Sequence, residues 1–99
     1  MFYCIIGYDV EDSLARRAGA RTDHLERLHS LCDQGRLLTA GPLPAIDAAD
    51  PGPAGFAGSL IIAEFPSMED ARRWADEDPY VLAGAWSGTE VHPYKAVLP

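Results

Sequence analysis

Four short segments of this chain have the apolar content of β-strands, and they limit the folds that are open to it. The segments cover residues 2–8, 36–43, 59–65 and 90–98. In the first segment the consecutive positions Phe2, Tyr3 and Cys4 are all apolar, so both faces of the strand are hydrophobic. Apolar surface on both faces of a strand needs cover on both sides. The chain is therefore restricted to folds that bury its sheet on both faces.

Helical periodicity follows the first strand. We expect a short helical stretch over residues 14–18 that Gly19 interrupts, because glycine is a poor helix former. A stronger helix should then begin at a cap on Thr22 or Asp23. Gly35 stands where a helix commonly ends, so this second stretch should stop just before it.

A second helix follows the third strand. Ser67 can cap its first turn, and Pro79 ends it because the residue before a proline avoids the helical region. Residues 45–58 are rich in proline and glycine and predict a long connection, of the kind that often serves as a mobile lid. Pro93 inside the last strand favours an edge position or a bulge, because proline cannot donate to a neighbouring strand.

The order β-α-β-β-α-β predicts an α+β protein of the ferredoxin-like class, with an antiparallel sheet and both helices on one face. We expect a single domain over residues 1–99, since a chain of this length builds one small core. The second face of the sheet would remain apolar and exposed in a monomer, and such a face marks an interface. A homodimer formed through the sheet face is therefore expected.

Charge and composition narrow the possible functions. The formal net charge is −7 and the pI is about 4.7, which disfavours nucleic acid and anionic membrane surfaces as partners. Cys4 and Cys32 lack the spacing of a zinc site, and no phosphate-binding glycine motif occurs. We expect no metal and no cofactor. The absence of a membrane-spanning apolar run and of a leader pattern predicts a cytoplasmic protein.

His24 and Asp78 are polar residues at positions where the helical periodicity calls for apolar ones. His24 lies four residues before Leu28, and Asp78 lies four residues after Trp74. A polar group on a buried helix face is costly unless it is bonded or used. If the two meet, Asp78 would orient the imidazole, and His24 would act as a general base or acid.

Each of these residues also has a simpler interpretation. Asp78 could merely cap the turn that begins at Pro79, as aspartate before proline often does. His24 could be a histidine at the edge of the core, while His29 points elsewhere on the helix and is expected to be solvated.

Four further residues are candidates for substrate binding. Arg21, one turn before His24, could bind a carboxylate or a phenolate, although a surface arginine is the simpler interpretation. Gly41 and Pro42 could let a ligand approach the backbone, although a turn would also explain them. Tyr80 could form the wall of a pocket or belong to the core.

The chain resembles the YciI (YCII-related) family in four segments that occur in the same order along nearly its whole length. These segments are Arg21-Thr-Asp-His24-Leu, Gly35-Arg-Leu-Leu-Thr-Ala-Gly41-Pro42, Gly58-Ser-Leu-Ile-Ile-Ala-Glu64-Phe and Ala75-Asp-Glu-Asp78-Pro79-Tyr80. The resemblance implies a dimeric ferredoxin-like α+β barrel, similar to the barrels of muconolactone isomerase and small monooxygenases. It also implies an active site with a His-Asp pair at His24 and Asp78. One similar branch of the family dehydrochlorinates a chlorinated hydroxyhydroquinone.

Three functions remain open. The first is a cofactor-independent enzyme in which the His-Asp pair isomerises, or eliminates a group from, a small enolisable or phenolic substrate. The second is a non-catalytic, dimeric module that binds a small molecule. The third is a structural scaffold in which the pair is only a buried hydrogen bond, and a pocket beside His24 would argue against it.

Overall fold

Strand β1 (Phe2–Asp9) pairs with a neighbour on each side, and the rest of the sheet follows from its position. The computed structural model describes all 99 residues. Its four strands form one antiparallel sheet in the order β2-β3-β1-β4. The other elements are α1 (Leu14–Asp33), β2 (Leu37–Pro44), a 3-10 turn (Gly52–Ala54), β3 (Phe56–Glu64), α2 (Met68–Asp76), α3 (Pro79–Leu82) and β4 (Trp86–Tyr94). The predicted ferredoxin-like α+β arrangement is confirmed, with α3 added before the last strand.

The core lies between one face of the sheet and the helices. On β1, Tyr3 and Ile5 point to this side and are buried, whereas the alternate residues on the other side remain partly or fully exposed. Ile61 and Ala63 of the neighbouring strand β3 are buried as well. The helices therefore cover one face of the sheet only. No helix combines the length and the apolar content that a membrane span requires.

Helix α1 is continuous from Leu14 to Asp33, so the predicted break at Gly19 and the cap at Thr22 or Asp23 are wrong. A glycine inside a helix costs only about 1 kcal/mol relative to alanine. Burial of one stripe of α1, which includes Ala20 on the turn of Gly19, outweighs that cost. The helix ends at the expected place, because Gly35 has a positive φ of 70°.

Asp78 does not lie on the helix that the sequence predicted for it. Helix α2 ends at Asp76, and Asp78 has extended backbone (φ −61°, ψ 134°) as the N-cap of α3. Asp78 therefore enters the core from a cap position and not from a helix face. Ser67 caps α2 as predicted, since its hydroxyl accepts a hydrogen bond from the backbone N–H of Asp70 at 3.1 Å.

Two strands differ by more than one residue from their predicted bounds. β3 begins at Phe56, so the connection before it spans residues 45–55. β4 runs from Trp86 to Tyr94 and not over residues 90–98. Its limits are those of β1, because Asp9 pairs with Trp86 and Phe2 pairs with Tyr94. Pro93 lies in an edge strand, as its missing N–H requires.

The contact of β1 with β4 generates a prediction about stability. A Cβ atom at Gly7 would overlap the ring of Trp86, which is buried. We expect Gly7→Ala to lower the free energy of unfolding by about 1–3 kcal/mol, because the core would have to move to admit the methyl group. Urea unfolding should be compared with Gly88→Ala, since nothing lies within 4 Å of a Cβ at that strand glycine. Equal effects of the two substitutions would contradict the packing argument.

Candidate functional site

His24 on α1 and Asp78 before α3 are in direct contact. The imidazole Nδ1 lies 2.8 Å from Oδ1 of Asp78 and 3.0 Å from its Oδ2. His24 is 5% exposed and Asp78 is 0% exposed, so the contact is shielded from water. A carboxylate only accepts hydrogen bonds, so Nδ1 donates to it and the proton is held on that nitrogen. The other ring nitrogen, Nε2, is then free to accept a proton.

One further donor and one positive charge face the buried carboxylate. Oδ1 of Asp78 accepts a hydrogen bond from the backbone N–H of Tyr80 at 2.9 Å, which is the capping contact that its sequence position suggests. Nη1 of Arg27 lies 3.8 Å from Oδ2 of Asp78. Asp78 therefore caps a helix and holds His24 at the same time, and the two interpretations of this residue are compatible.

Arg27 is a residue of the site that sequence reasoning missed. Its Nη2 donates to the backbone oxygen of Trp74 at 2.7 Å, and its guanidinium carbon lies 4.1 Å from the centre of the Trp74 ring. Burial lowers the pKa of Arg27, and the negative charges of Asp78 and Glu77 partly oppose this effect. The available signal was its spacing, because Arg27 lies three residues after His24 and so faces the same side of a helix.

Aromatic rings fix the orientation of the imidazole. The ring of His24 stacks on Tyr80 with 4.0 Å between centroids, and Trp86 meets it edge-on at 5.7 Å. Packing of this kind removes the freedom of the side chain to rotate. His24 is thus held by a hydrogen bond at Nδ1 and by two rings.

A cavity of about 400 Å³ opens beside His24. The candidate residues Arg21, Gly41, Pro42 and Tyr80 all line it, whereas Asp78 lies behind His24 and Trp86 does not reach it. The remaining lining residues are Leu14, Arg17, Ala18, Leu25, Leu28, Ala40, Phe56, Ser59 and Ile61. Of the connection predicted over residues 45–58, only Phe56 lines the cavity, and Phe56 is the first residue of β3. A cavity at this position argues against a purely structural scaffold.

Arg17 at the other end of the cavity is the second residue that sequence reasoning missed. It is 7% exposed, and its Nε and Nη2 donate to the two carboxylate oxygens of Asp9 at 2.6 and 2.7 Å. Nη2 also donates to the backbone oxygen of Gly58 and to the hydroxyl of Ser59, each at 2.9 Å. Such a charge is held in one geometry by its acceptors.

The sequence spacing of Arg17 indicates that it shares a helix face with Arg21 and His24, but the predicted break at Gly19 hid this relation. Residues 17, 21 and 24 are separated by four and three positions, which puts their side chains on one face of a continuous helix. All three line the cavity. Because the predicted break at Gly19 separated Arg17 from the other two, this common face could not be recognised.

Tyr80 separates the two charged ends of the cavity. Its ring stacks on His24, and the guanidinium carbon of Arg17 lies 4.9 Å from the ring centre. Burial raises the pKa of Tyr80, and the positive charges of Arg17 and Arg21 partly oppose the rise. The hydroxyl therefore keeps its proton at neutral pH and can act as a donor.

The remaining histidines and the cysteines lie outside the cavity. His29 is exposed on α1, and His92 bonds Glu90 at 3.0 Å on the surface of β4. Cys4 and Cys32 are free thiols. No group of three or more histidine, cysteine, aspartate or glutamate side chains lies close enough to hold a metal ion.

Known proteins resemble this chain over nearly its whole length. The YCII-related domain family matches residues 1–95 of this chain. Protein YciI of Escherichia coli O6:H1 is 56% identical over 98 residues, covering 99% of this chain and 100% of that protein. An uncharacterized protein of Haemophilus influenzae is 46% identical over 98 residues, with the same coverage.

One solved structure extends the comparison to the fold. It is 5-chloro-2-hydroxyhydroquinone dehydrochlorinase (TftG) from Burkholderia phenoliruptrix AC1100, in complex with 2,5-dihydroxybenzoquinone. The TM-score is 0.82 at 25% identity, covering 96% of this chain and 94% of that one. The family resemblance found in the sequence is confirmed by these matches.

The partners of Asp78 generate a prediction about stability. We expect Asp78→Ala to lower the free energy of unfolding by about 3–5 kcal/mol, because the substitution leaves buried donors on His24 and Tyr80 without an acceptor. Urea unfolding should be measured beside Asp76→Ala, an exposed aspartate at the end of α2. The control should change stability by no more than about 0.5 kcal/mol. Similar losses in both variants would show that the buried contacts of Asp78 contribute little.

Proposed function

Because this chain belongs to the YCII-related domain family, we propose that it is a cofactor-independent enzyme acting on a small enolisable or phenolic molecule. His24 is the general base and acid, and Asp78 is the residue that positions it. The single observation that carries the proposal is the buried contact of 2.8 Å between His24 and Asp78 at the wall of a cavity. A histidine held in this way has one ring nitrogen for the ligand and one for the protein.

The proposed chemistry is a proton transfer through Nε2 of His24. The base takes a proton from an acidic O–H or C–H group of the substrate, and the bonding electron pair moves into the conjugated system. In an isomerisation the proton returns to another atom of the same substrate. In an elimination a leaving group departs with its electron pair. The charge on Asp78 stabilises the imidazolium that forms in either case.

The binding roles follow from the lining of the cavity. Arg21 lies on the same helix face as His24 and is exposed, so we assign it to an anionic group of the substrate near the entrance. Tyr80 supports the imidazole with its ring and offers its hydroxyl as a donor. Gly41 and Pro42 on β2 form a wall without polar side chains, against which a flat ring can pack.

The structural neighbour supports an aromatic or quinonoid substrate. The neighbour is named a dehydrochlorinase of a hydroxyhydroquinone and was solved with a dihydroxybenzoquinone. A cavity of about 400 Å³ is large enough for one ring of this size. Compounds of this class are therefore the first to test as substrates of this chain.

Replacement of His24 tests the proposal. We expect His24→Asn to reduce turnover by about 10²–10⁴-fold, because the amide of asparagine is neither a general base nor a general acid near neutral pH. The amide can still donate a hydrogen bond to Asp78. The assay should follow chloride release from 5-chloro-2-hydroxyhydroquinone, and solvent-deuterium incorporation into a panel of small phenols and enolisable ketones. His29→Asn on the same helix is the matched control, because His29 is exposed and lies outside the cavity.

Turnover that is unchanged in His24→Asn would refute the assigned role. Binding of 2,5-dihydroxybenzoquinone without product from any compound of the panel would favour the second candidate, a non-catalytic binding module. The cavity and its donors fit that module equally well, so the separation of the two functions depends on turnover.

We also propose that the chain forms a homodimer through the uncovered face of the sheet and works in the cytoplasm. Phe2, Cys4, Ile6 and Leu60 are only half-buried on that face, and Leu38 at its edge is 48% exposed. An apolar surface of this kind is unfavourable in water unless it is covered. A second copy offers the same apolar face and would complete the two-sided burial that the strands require.

A charged residue at the centre of this face tests the homodimer. We expect the parent chain to sediment with the mass of two chains and Ile6→Glu to sediment as a monomer, because the new carboxylate would be buried next to Glu90, its cross-strand neighbour on β4. Leu82→Glu is the matched control, since Leu82 is 77% exposed on α3. It should leave the mass unchanged. A parent chain that remains monomeric at high concentration would contradict the proposed interface.

A further inference from the structure

We propose that Arg17 is the anion receptor of this cavity, and that it selects ligands with a single anionic oxygen, as in a phenolate or an enolate. The inference rests on the proposed function, because it concerns the same cavity. It goes further in naming the residue that would hold the negative charge and the kind of charge that it would accept.

Arg17 is already fixed before any ligand enters. The carboxylate of Asp9, the backbone oxygen of Gly58 and the hydroxyl of Ser59 accept from its Nε and Nη2. Its guanidinium carbon lies 4.8 Å from the centre of the Phe56 ring and 4.9 Å from that of Tyr80. A receptor held in this way loses little conformational entropy when a ligand binds.

One nitrogen of Arg17 takes no part in holding the side chain. Nη1 makes none of the hydrogen bonds to Asp9, Gly58 and Ser59. Burial raises the pKa of Tyr80, and its hydroxyl lies close enough to Arg17 for a hydrogen bond that partly opposes this rise. The buried side-chain nitrogens without a hydrogen-bond partner are Nη1 of Arg27 and Nε1 of Trp86. Nη1 of Arg17 is not one of them, so it is accessible to solvent. Since Arg17 lines the cavity and is otherwise buried, this nitrogen opens into the cavity.

The geometry of Nη1 selects the ligand. Bidentate binding of a carboxylate uses two nitrogens of a guanidinium side by side, and Asp9 already occupies the edge formed by Nε and Nη2. Because Nη2 has three acceptors in the chain, Nη1 is left to donate alone. A lone donor suits one anionic oxygen better than a carboxylate.

Two neighbours complete the receptor. Arg21 lies one helical turn after Arg17 and adds positive charge that no acidic residue neutralises, whereas the charge of Arg17 is paired with Asp9. The hydroxyl of Tyr80 adds a neutral donor in the same cavity. Hydrogen bonds from such donors to an anion are stronger than those between neutral groups, and a water-poor cavity strengthens them further.

The receptor lies within reach of the proposed base. The ring of His24 is 4.0 Å from the ring of Tyr80, and the guanidinium carbon of Arg17 is 4.9 Å from the same ring. Both groups therefore contact one aromatic ring, and a single small molecule can touch both. An oxygen anion held at Arg17 would orient the rest of the substrate toward Nε2 of His24.

The test uses 4-nitrophenol, whose absorption distinguishes the phenolate from the phenol, and measures its ionisation in the presence of the protein. We expect the parent chain to bind the phenolate at least about tenfold more tightly than the phenol, which lowers the apparent pKa of the bound probe by about one unit. 4-Nitroanisole and 4-nitrobenzoate, measured by competition, should bind more weakly than the phenolate.

The decisive variant is Arg17→Lys, with Arg16→Lys as its control. Lysine retains the positive charge beside Asp9 but has no guanidinium nitrogen for the ligand, so the preference for the phenolate should fall about tenfold. Arg16 is exposed and does not line the cavity. Tyr80→Phe and Arg21→Gln, which leave the Asp9 pair in place, should each weaken phenolate binding by a smaller factor.

The result is independent of turnover. The measurement follows the ionisation of a bound probe and requires no product, so a failure of the proposed acid-base chemistry leaves the receptor intact. The inference is overturned if the parent chain does not bind 4-nitrophenolate at millimolar concentration, or binds 4-nitroanisole or 4-nitrobenzoate as tightly. It is also overturned if a folded Arg17→Lys retains the full preference. If Arg17→Lys does not fold, an unchanged preference in both Tyr80→Phe and Arg21→Gln overturns it.

Discussion

The carboxylate of Asp78 has no exposure to solvent, and the rest of the site depends on how that charge is held. A buried carboxylate is tolerated only where donors surround it. Here the donors come from two directions, from His24 on α1 and from the backbone of Tyr80 at the start of α3, and Arg27 on α1 adds a positive charge at 3.8 Å. The contact therefore joins α1 to α3. It also fixes which nitrogen of His24 faces the cavity.

A second buried ion pair, between Arg17 and Asp9, lies at the other end of the same cavity. It connects α1 to the end of β1 and, through Gly58 and Ser59, to β3. The two polar groups are separated by the Tyr80 ring, which contacts both. The cavity thus has the imidazole of His24 at one end and the guanidinium of Arg17 at the other, with apolar walls between them. This arrangement suits the small conjugated substrate that we propose.

Much of the fold was predictable because hydrophobic periodicity is local. The alternation of apolar residues predicted four strands, and Gly35 and Ser67 marked helix ends that the structure contains, whereas Pro79 begins α3 and does not end α2. The break at Gly19 was wrong because the cost of a helical glycine is small beside the burial of a whole stripe. The bounds of β4 were wrong because a strand ends where its partner ends, and the partner is β1.

The sequence by itself determined the order of the four strands and the two main helices, the net negative charge, and His24 and Asp78 as polar residues of the core. It could not determine which polar groups meet. His24 and Asp78 are 54 positions apart, and Arg17 reaches Ser59 across 42. Only the tertiary structure decided these contacts, and with them the cavity, the free nitrogen of His24 and the roles of Arg17 and Arg27. The physical reason is that burial and ion pairing depend on distances in space, whereas periodicity and capping depend on neighbours along the chain.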